Sequence, residues 1–279
     1  MAYNFLFYLI TCKLMKLTLI ITTYNWPDSL FLVLKSVKRQ TILPYEVIIA
    51  DDGSTKETKE LIVNFNKNFD IHVIHSWQKN IGFRAARSRN NAIIKASGDY
   101  IVLIDGDTVL HPDFLKDHIS NAEPGFFIQG SRALLSYKQT KLALEKKIVD
   151  FSFFNSGLRN HKNSIHSKFL SILFSNKKNN LRGIKSCNMA FYKKDCLDIN
   201  GYNNEFEGWG REDSEFVVRL INNGIKRKNV RFNAIQFHLW HNENSRILLD
   251  RNNLLLNETI NNHLTWCENG INLIEKNES

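Results

Sequence analysis

The chain has 279 residues, 43% of them hydrophobic and 23% charged, and carries a formal net charge of +9. That length and apolar content support a sizeable buried core and exclude a fibrous or disordered chain. The positive balance points to an acidic partner: nucleic acid, an anionic membrane face or a phosphorylated substrate.

Residues 1–14 read as an N-terminal extension. Their apolar run, Phe5-Leu-Phe-Tyr-Leu-Ile10, is too short to span a bilayer and lacks the basic start and cleavage pattern of a signal peptide, with Met15 as the alternative start. A strand is expected over 17–22, then a helix over about 28–40 with Leu30, Val33, Leu34 and Val37 on one face. A second strand over 46–50 ends at Asp51-Asp52-Gly53-Ser54. A helix over 56–66, a strand over 71–75 and a helix over about 84–96 lead to the apolar run Tyr100-Ile-Val-Leu-Ile-Asp105-Gly106-Asp107. Strands alternating with helices in this way predict an α/β fold with a parallel sheet and right-handed crossovers. The chain lacks Gly-x-Gly-x-x-Gly after its first strand and any Gly-x-x-x-x-Gly-Lys-Ser/Thr loop, which argues against a dinucleotide oxidoreductase and a P-loop phosphotransferase.

From 137 to 186 the alternation lapses and Lys, Asn, Ser and His accumulate, which marks a basic surface segment outside the core. Its cations interleave with Phe151, Phe153, Phe154, Phe169, Leu170, Ile172, Leu173 and Phe174. A face for an anionic membrane and a solvated loop over partly buried helices both account for that pattern. Cys12, Cys187, Cys196 and Cys267 are scattered, without zinc or disulfide spacing, and fit a reducing cytosol.

Two places carry chemistry. The apolar strand delivers Asp105 and Asp107 onto one turn, and ligands of open α/β sheets collect at the carboxyl ends of such strands. Carboxylate oxygens suit Mg²⁺ or Mn²⁺, which in turn holds a diphosphate, although Asp-Gly-Asp is also ordinary turn chemistry. Downstream, Glu212 and Asp213 open a helix whose apolar face is Phe216, Val217, Leu220 and Ile221, with Gly224 as its C-cap. Acids there are favoured by the helix dipole and serve as capping groups in the plainest reading. The preceding Gly208-Trp209-Gly210 suggests close ligand approach, with the Trp face as a sugar platform and a carboxylate to take a hydroxyl proton.

Taken together, the motifs resemble the inverting family-two glycosyltransferases of the GT-A nucleotide-diphospho-sugar transferase fold. The carrying pieces are Ile20-Ile-Thr-Thr23-Tyr24-Asn25, Val47-Ile-Ile-Ala-Asp-Asp52-Gly-Ser54, Gly82-Phe-Arg84-Ala-Ala-Arg-Ser-Arg89-Asn90 and Gly98-Asp-Tyr-Ile-Val-Leu-Ile-Asp105-Gly-Asp107. Asn188-Met-Ala-Phe, Gly201-Tyr, Gly208-Trp-Gly-Arg-Glu-Asp213 and Phe237-His238 look like the carboxyl-terminal region of β-galactosyltransferases and bacterial chondroitin polymerases. The likeness spans about 17–244. It implies one GT-A domain with a nucleotide-sugar-binding half over 15–136, the basic variable segment over 137–186, and an acceptor-binding and catalytic half over 187–279.

The resemblance also implies tasks. Thr23, Tyr24 and Asn25 would border the nucleotide, Asp52 would accept the uracil imide proton, and Arg84 would lie near the uridine or its phosphate, with Arg89 the weaker candidate or a structural residue. Asp105 would contact the ribose. Asp107 and His238 would hold the metal, and imidazole favours Mn²⁺ over Mg²⁺. Asp213 would be the general base, with Glu212 as the alternative or as a holder of sugar hydroxyls. Gly208 and Trp209 would line the sugar site. Arg211 stands where galactosyltransferases have a second Gly, and would crowd the sugar or bind an anionic group.

The implied reaction is inverting transfer of a hexose-type sugar from a UDP-sugar to a glycan or glycolipid precursor of lipopolysaccharide, lipooligosaccharide or capsule, in the cytoplasm or at the inner membrane face. A nucleotidyltransferase is the first alternative, but Thr22-Thr-Tyr-Asn-Trp-Pro27 lacks the basic Gly-rich loop of that class. The second is a non-enzymatic basic membrane-binding module. Nucleic acid is not expected, because Asp105, Asp107, Glu212 and Asp213 would repel its phosphates unless a cation intervened.

Overall fold

In the computed structural model, which describes residues 15–278 apart from 68 and 244, the first half follows the expected alternation. It runs β1 (Leu17–Thr23), α1 (Pro27–Val37), β2 (Glu46–Asp51), α2 (Lys56–Asn66), β3 (His72–Trp77), α3 (Ala85–Lys95) and β4 (Tyr100–Asp105). The extension expected over 1–14 lies outside the described residues. β1 sits between β2 and β4 with both pairings parallel, so Leu19 lies beside Val47 and Val102. Every residue of β2 is buried, as a strand covered on both faces requires.

The two-residue period of these strands divides the core. Leu19, Ile21, Val47, Ile49 and Val102 face one side, where Leu30, Val33, Leu34 and Val37 of α1 pack. Ile20, Ile48, Ile101 and Leu103 face the other, against Ala86, Ala92 and Ile93 of α3. Burying each Leu or Ile contributes about 1.5–3 kcal/mol, so these two layers dominate the stability of the half. The third strand begins one residue later than expected and runs on to Trp77, because its pairing with β2 continues as far as Asp51.

The second half contributes β5 (Thr108–Leu110), α4 (Phe114–Asn121), β6 (Phe126–Gln129), β7 (Ser131–Leu134), α5 (Tyr137–Lys146), α6 (Lys168–Phe174), β8 (Asn176–Lys177) and β9 (Asn188–Tyr192). After these come α7 (Lys193–Asp198), α8 (Glu212–Asn222), β10 (Lys226–Asn229), β11 (Ile235–His238), α9 (Leu249–Asn261) and α10 (Ile271–Glu278). The large sheet has the order β3-β2-β1-β4-β9-β6-β10-β8. It is mostly parallel, with β9 antiparallel to β4 and β6, and β8 antiparallel to β10. A small second sheet, β5-β11-β7, stands beside it.

The segment over 137–186 is more regular than its composition suggests. Ser136 and Gln139 form a reciprocal capping box that starts α5, and Ala143 of that helix is buried against the small sheet. α6 is also capped, by Ser167, but Phe169, Ile172, Leu173 and Phe174 all stand exposed. The helix therefore forms locally without a covered apolar face. Among the described residues no helix is long and apolar enough to cross a membrane.

Candidate active site

Asp105 ends β4, and Gly106 turns the chain so that Asp107 follows at the same sheet edge. Thr22 Oγ1, from the end of β1, donates to Asp105 Oδ1 at 2.7 Å, while Ser29 Oγ donates to the Gly106 carbonyl at 2.6 Å. A Cβ on Gly106 would sit 2.9 Å from the Thr22 carbonyl oxygen, so only glycine lets the turn lie this close to β1.

The small sheet brings in His238. β11 pairs antiparallel with β5, setting His238 opposite Thr108 and beside Asp107. Asp107 Oδ2 lies 3.4 Å from His238 Nε2 and 3.2 Å from His241 Nε2. The Asp107 Oδ1 atom is buried with no hydrogen-bond partner. Asp107, His238 and His241 are close enough to hold one metal ion, and the orphaned oxygen beside two imidazoles fits a cation. Burial works to raise the Asp107 pKa, but His238, His241 and Arg132 outweigh it and hold the group below the ordinary value. The hydrogen bond to Asp107 pushes His241 up to about 9, whereas burial lowers His238. His241 is absent from the sequence-based ligand set. The only signal for it is its spacing of three residues from His238 in Phe237-His-Leu-Trp-His241.

Glu212 and Asp213 occupy the first turn of α8, after Arg211 in a left-handed conformation with φ of 81°. Gly210, at φ 100°, precedes it, so the loop turns through two successive residues of positive φ. Arg89 of α3 joins this helix to the aspartate turn: its Nη1 is 3.1 Å from Glu212 Oε1 and its Nη2 3.8 Å from Asp105 Oδ1. Its guanidinium also lies 5.4 Å from the centre of the Tyr202 ring. Burial opposes the Arg89 charge, but Glu212, Tyr202 and Asp105 outweigh it. Burial, then the Asp107 charge, raises the Asp105 pKa. Burial, then the Glu212 charge, pushes Asp213 up to about 7.

The remaining predicted residues divide. Asp52 is almost fully buried at the end of β2, where it accepts from Gln78 Nε2 at 2.5 Å and from the Arg84 backbone N–H at 2.7 Å. Burial raises its pKa. The Arg84 side chain turns to the Lys79 carbonyl at 2.6 Å, leaving a buried Nε without partner. Thr23 is nearly covered and Tyr24 half exposed, its hydroxyl accepting from Asn80 at 3.0 Å. Asn25 serves the loop: its side-chain oxygen accepts from the Thr55 N–H, and its own N–H donates to Ser54 Oγ. Trp209 is partly exposed with the Arg246 guanidinium 5.0 Å from its ring centre. The Gly208 N–H donates to the Phe83 carbonyl. Arg211 is exposed and donates from Nε to Asn253 of α9 at 2.7 Å.

The sequence-predicted acids Glu212, Asp105 and Asp107 thus take part in two sets of contacts, one from Glu212 through Arg89 to Asp105 and one from Asp107 to His238 and His241, joined by the Asp105-Gly106-Asp107 turn. Such a cluster suits a metal-bound diphosphate flanked by a carboxylate of raised pKa, which is the equipment for drawing a proton from a hydroxyl.

The chain is similar to known proteins in sequence and fold. The family model described as "Glycosyl transferase family 2" matches residues 18–198, and one described as "N-terminal domain of galactosyltransferase" matches 169–242. Hyaluronan synthase of Pasteurella multocida is 27% identical over 230 residues, covering 77% of this chain and 24% of that protein. Chondroitin synthase of Escherichia coli is 26% identical over 245 residues, 80% of this chain and 34% of that protein. The chain therefore spans about a third or less of either synthase. Among solved structures, S. aureus TarS 1-349 in complex with UDP superposes with a TM-score of 0.60 at 18% identity, covering 88% of this chain and 65% of that one. The fold is the mixed α/β GT-A architecture of that neighbour. By its sequence over 18–198, the chain belongs to glycosyl transferase family 2.

Proposed function

We propose that this protein transfers a hexose-type sugar from a UDP-sugar to a hydroxyl of a cell-surface glycan precursor, with inversion at the anomeric carbon. The observation that carries the reading is the placement on one turn of Asp105, bridged by Arg89 to Glu212, and of Asp107, grouped with His238 and His241. The UDP held by TarS, and the glycan products named for the two synthases, support the donor and acceptor classes.

In this reading Asp213 draws the proton from the acceptor hydroxyl, which attacks opposite the leaving diphosphate. Its pKa near 7 keeps the carboxyl a stronger base than an ordinary aspartate. Glu212, fixed by Arg89, orients sugar hydroxyls. Asp105 faces the ribose, with Thr23, Tyr24, Asn25, Asp52 and Arg84 around the nucleotide, and Trp209 and Gly208 border the sugar. Asp107, His238 and His241 would hold Mn²⁺, or Mg²⁺ in its place, which when bound offsets the charge growing on the leaving UDP. The two imidazoles favour manganese. The exposed Phe169, Ile172, Leu173 and Phe174, beside Lys168 and Lys177, suit peripheral contact with an anionic membrane at its cytoplasmic face.

The test is a donor screen. UDP release is followed from UDP-glucose, UDP-galactose and their N-acetyl and uronic forms with Mn²⁺, with and without glycan acceptors. Acceptor-stimulated release from at least one donor is expected. Absence of both UDP binding and turnover with all of them would overturn the reading.

A further inference from the structure

A cavity of about 250 Å³ adjoins the candidate active site, lined among others by Gly130, Arg132, Lys185, Cys187, Asn188 and Arg227. Two registers locate it. Asn188 of β9 pairs with Ile104, the residue before Asp105. Arg132 of β7 pairs with Gln236 of β11, two residues before His238 and hence on the same face of that sheet. The volume is room for about eight waters at about 30 Å³ each, enough for a charged substituent and part of the ring that bears it.

Three cations line the space, and no Asp or Glu does. Among the described residues none of the three makes an ion pair. Arg132 reaches only the Cys187 sulfur, at 3.5 Å from Nη1, and its Nε is buried without partner. Arg227 is 3% exposed; its Nη groups donate to neutral oxygens of Asn180, Arg182 and Asn229, and its Nε has no partner. Neutral acceptors satisfy geometry but leave the charge in place. Burial, then Arg132, lowers the Lys185 pKa, and burial lowers that of Arg227. Gathering cations without a direct ion pair in a half-desolvated space is unfavourable unless an anion enters, and guanidinium groups match the oxygens of carboxylate and phosphate. The cavity also has a direction. Arg132 acts on Asp107 and His238, whereas Lys185 feels Asp213, so an anion there would lie near both the candidate metal group and the candidate base.

We propose that this cavity is an anion subsite, in which Arg132, Lys185 and Arg227 select a sugar substrate bearing a carboxylate or phosphate. The inference rests on the glycosyltransferase reading, because it places a sugar between those two groups. It makes Arg132 and Lys185 determinants of specificity and gives the basic charge at this edge a ligand.

Equilibrium binding to the full chain in Mn²⁺ tests it. The donor arm compares UDP, UDP-glucose and UDP-glucuronate. The acceptor arm compares, on the UDP-loaded protein, a uronate-bearing disaccharide and a phosphorylated disaccharide with their neutral counterparts. A preference of at least about tenfold for the charged member is expected in one arm, the factor that one charge-assisted contact supplies. Lys185→Gln and Arg132→Gln should each reduce it to near unity, and Lys185→Arg should restore it. Binding of UDP with no charge preference in either arm would overturn the subsite and leave the glycosyltransferase reading intact. So would a preference that survives both substitutions, or an equal loss of UDP itself, which would assign the cations to the diphosphate. Failure to bind UDP at all would overturn the broader reading and this one with it.

Discussion

Arg89 Nη1 lies 3.1 Å from Glu212 Oε1, across 123 residues of sequence, and this contact ties α8 to the aspartate turn. The guanidinium is 6% exposed, so its pairing with Glu212 and Asp105 is little screened by solvent. It also lowers the Asp213 pKa against burial and Glu212. Replacing Arg89 with Met should therefore do two things. Turnover should fall by at least about tenfold as Glu212 loses its anchor, by analogy with loss of a buried charged hydrogen bond. The acid limb of the pH–rate profile should move to higher pH, which a purely steric role would not produce.

Asp213→Asn should retain UDP affinity and lose about 10²–10⁴ in kcat, the range for removing a general base. In the unaltered protein, kcat/KM should rise with pH through about 7 as the carboxyl ionises. The stability consequence has a definite sign. Because the folded-state pKa lies above the ordinary aspartate value, the contribution of Asp213 to stability is full below about pH 4 and is lost as pH rises through about 7. Thermal unfolding at pH 8 should show Asp213→Asn at least as stable as the parent. Retained turnover in that variant would remove Asp213 as the base.

Asp107→Ala, His238→Ala and His241→Ala should each weaken Mn²⁺-dependent UDP binding by at least about tenfold, as loss of groups that hold or orient a metal does. Titration calorimetry with and without Mn²⁺ separates this from loss of fold, since UDP binding in chelator should be nearly equal in parent and variants. An unchanged Mn²⁺ response in His241→Ala would confine the metal group to Asp107 and His238.

Arg219 is fully buried in α8, with Nε 2.7 Å from Glu215 Oε1 and Nη2 2.8 Å from Oε2. Arg219→Ala would leave the Glu215 carboxylate buried and unpaired at the root of the helix that carries Glu212 and Asp213. A loss of about 3–5 kcal/mol is expected from breaking such a pair. Urea unfolding monitored by Trp fluorescence measures it. A double replacement by apolar residues, Arg219→Met with Glu215→Leu, should recover much of the loss, because no stranded charge remains.

The outline of the first half and the identity of the acids were legible in the sequence, because both rest on local rules. Runs such as residues 100–103 are apolar when a strand is covered on both faces, and a helix opened by two acids announces its own N-terminus. The antiparallel entry of β9 and the pairing of β11 with β5 and β7 left no such trace, since short strands get their stability from partners distant in the chain. Three relationships needed the fold: His241 beside Asp107, Arg89 bridging Glu212 and Asp105, and Arg132 and Lys185 lining one cavity without an acid. Each is a meeting of side chains far apart in the chain or on adjoining loops, and residue spacing along one strand or helix holds no information about it. Sequence alone determined which chemical groups this protein owns; the tertiary structure decided which of them meet, because electrostatic and hydrogen-bonding energies depend on separation in space.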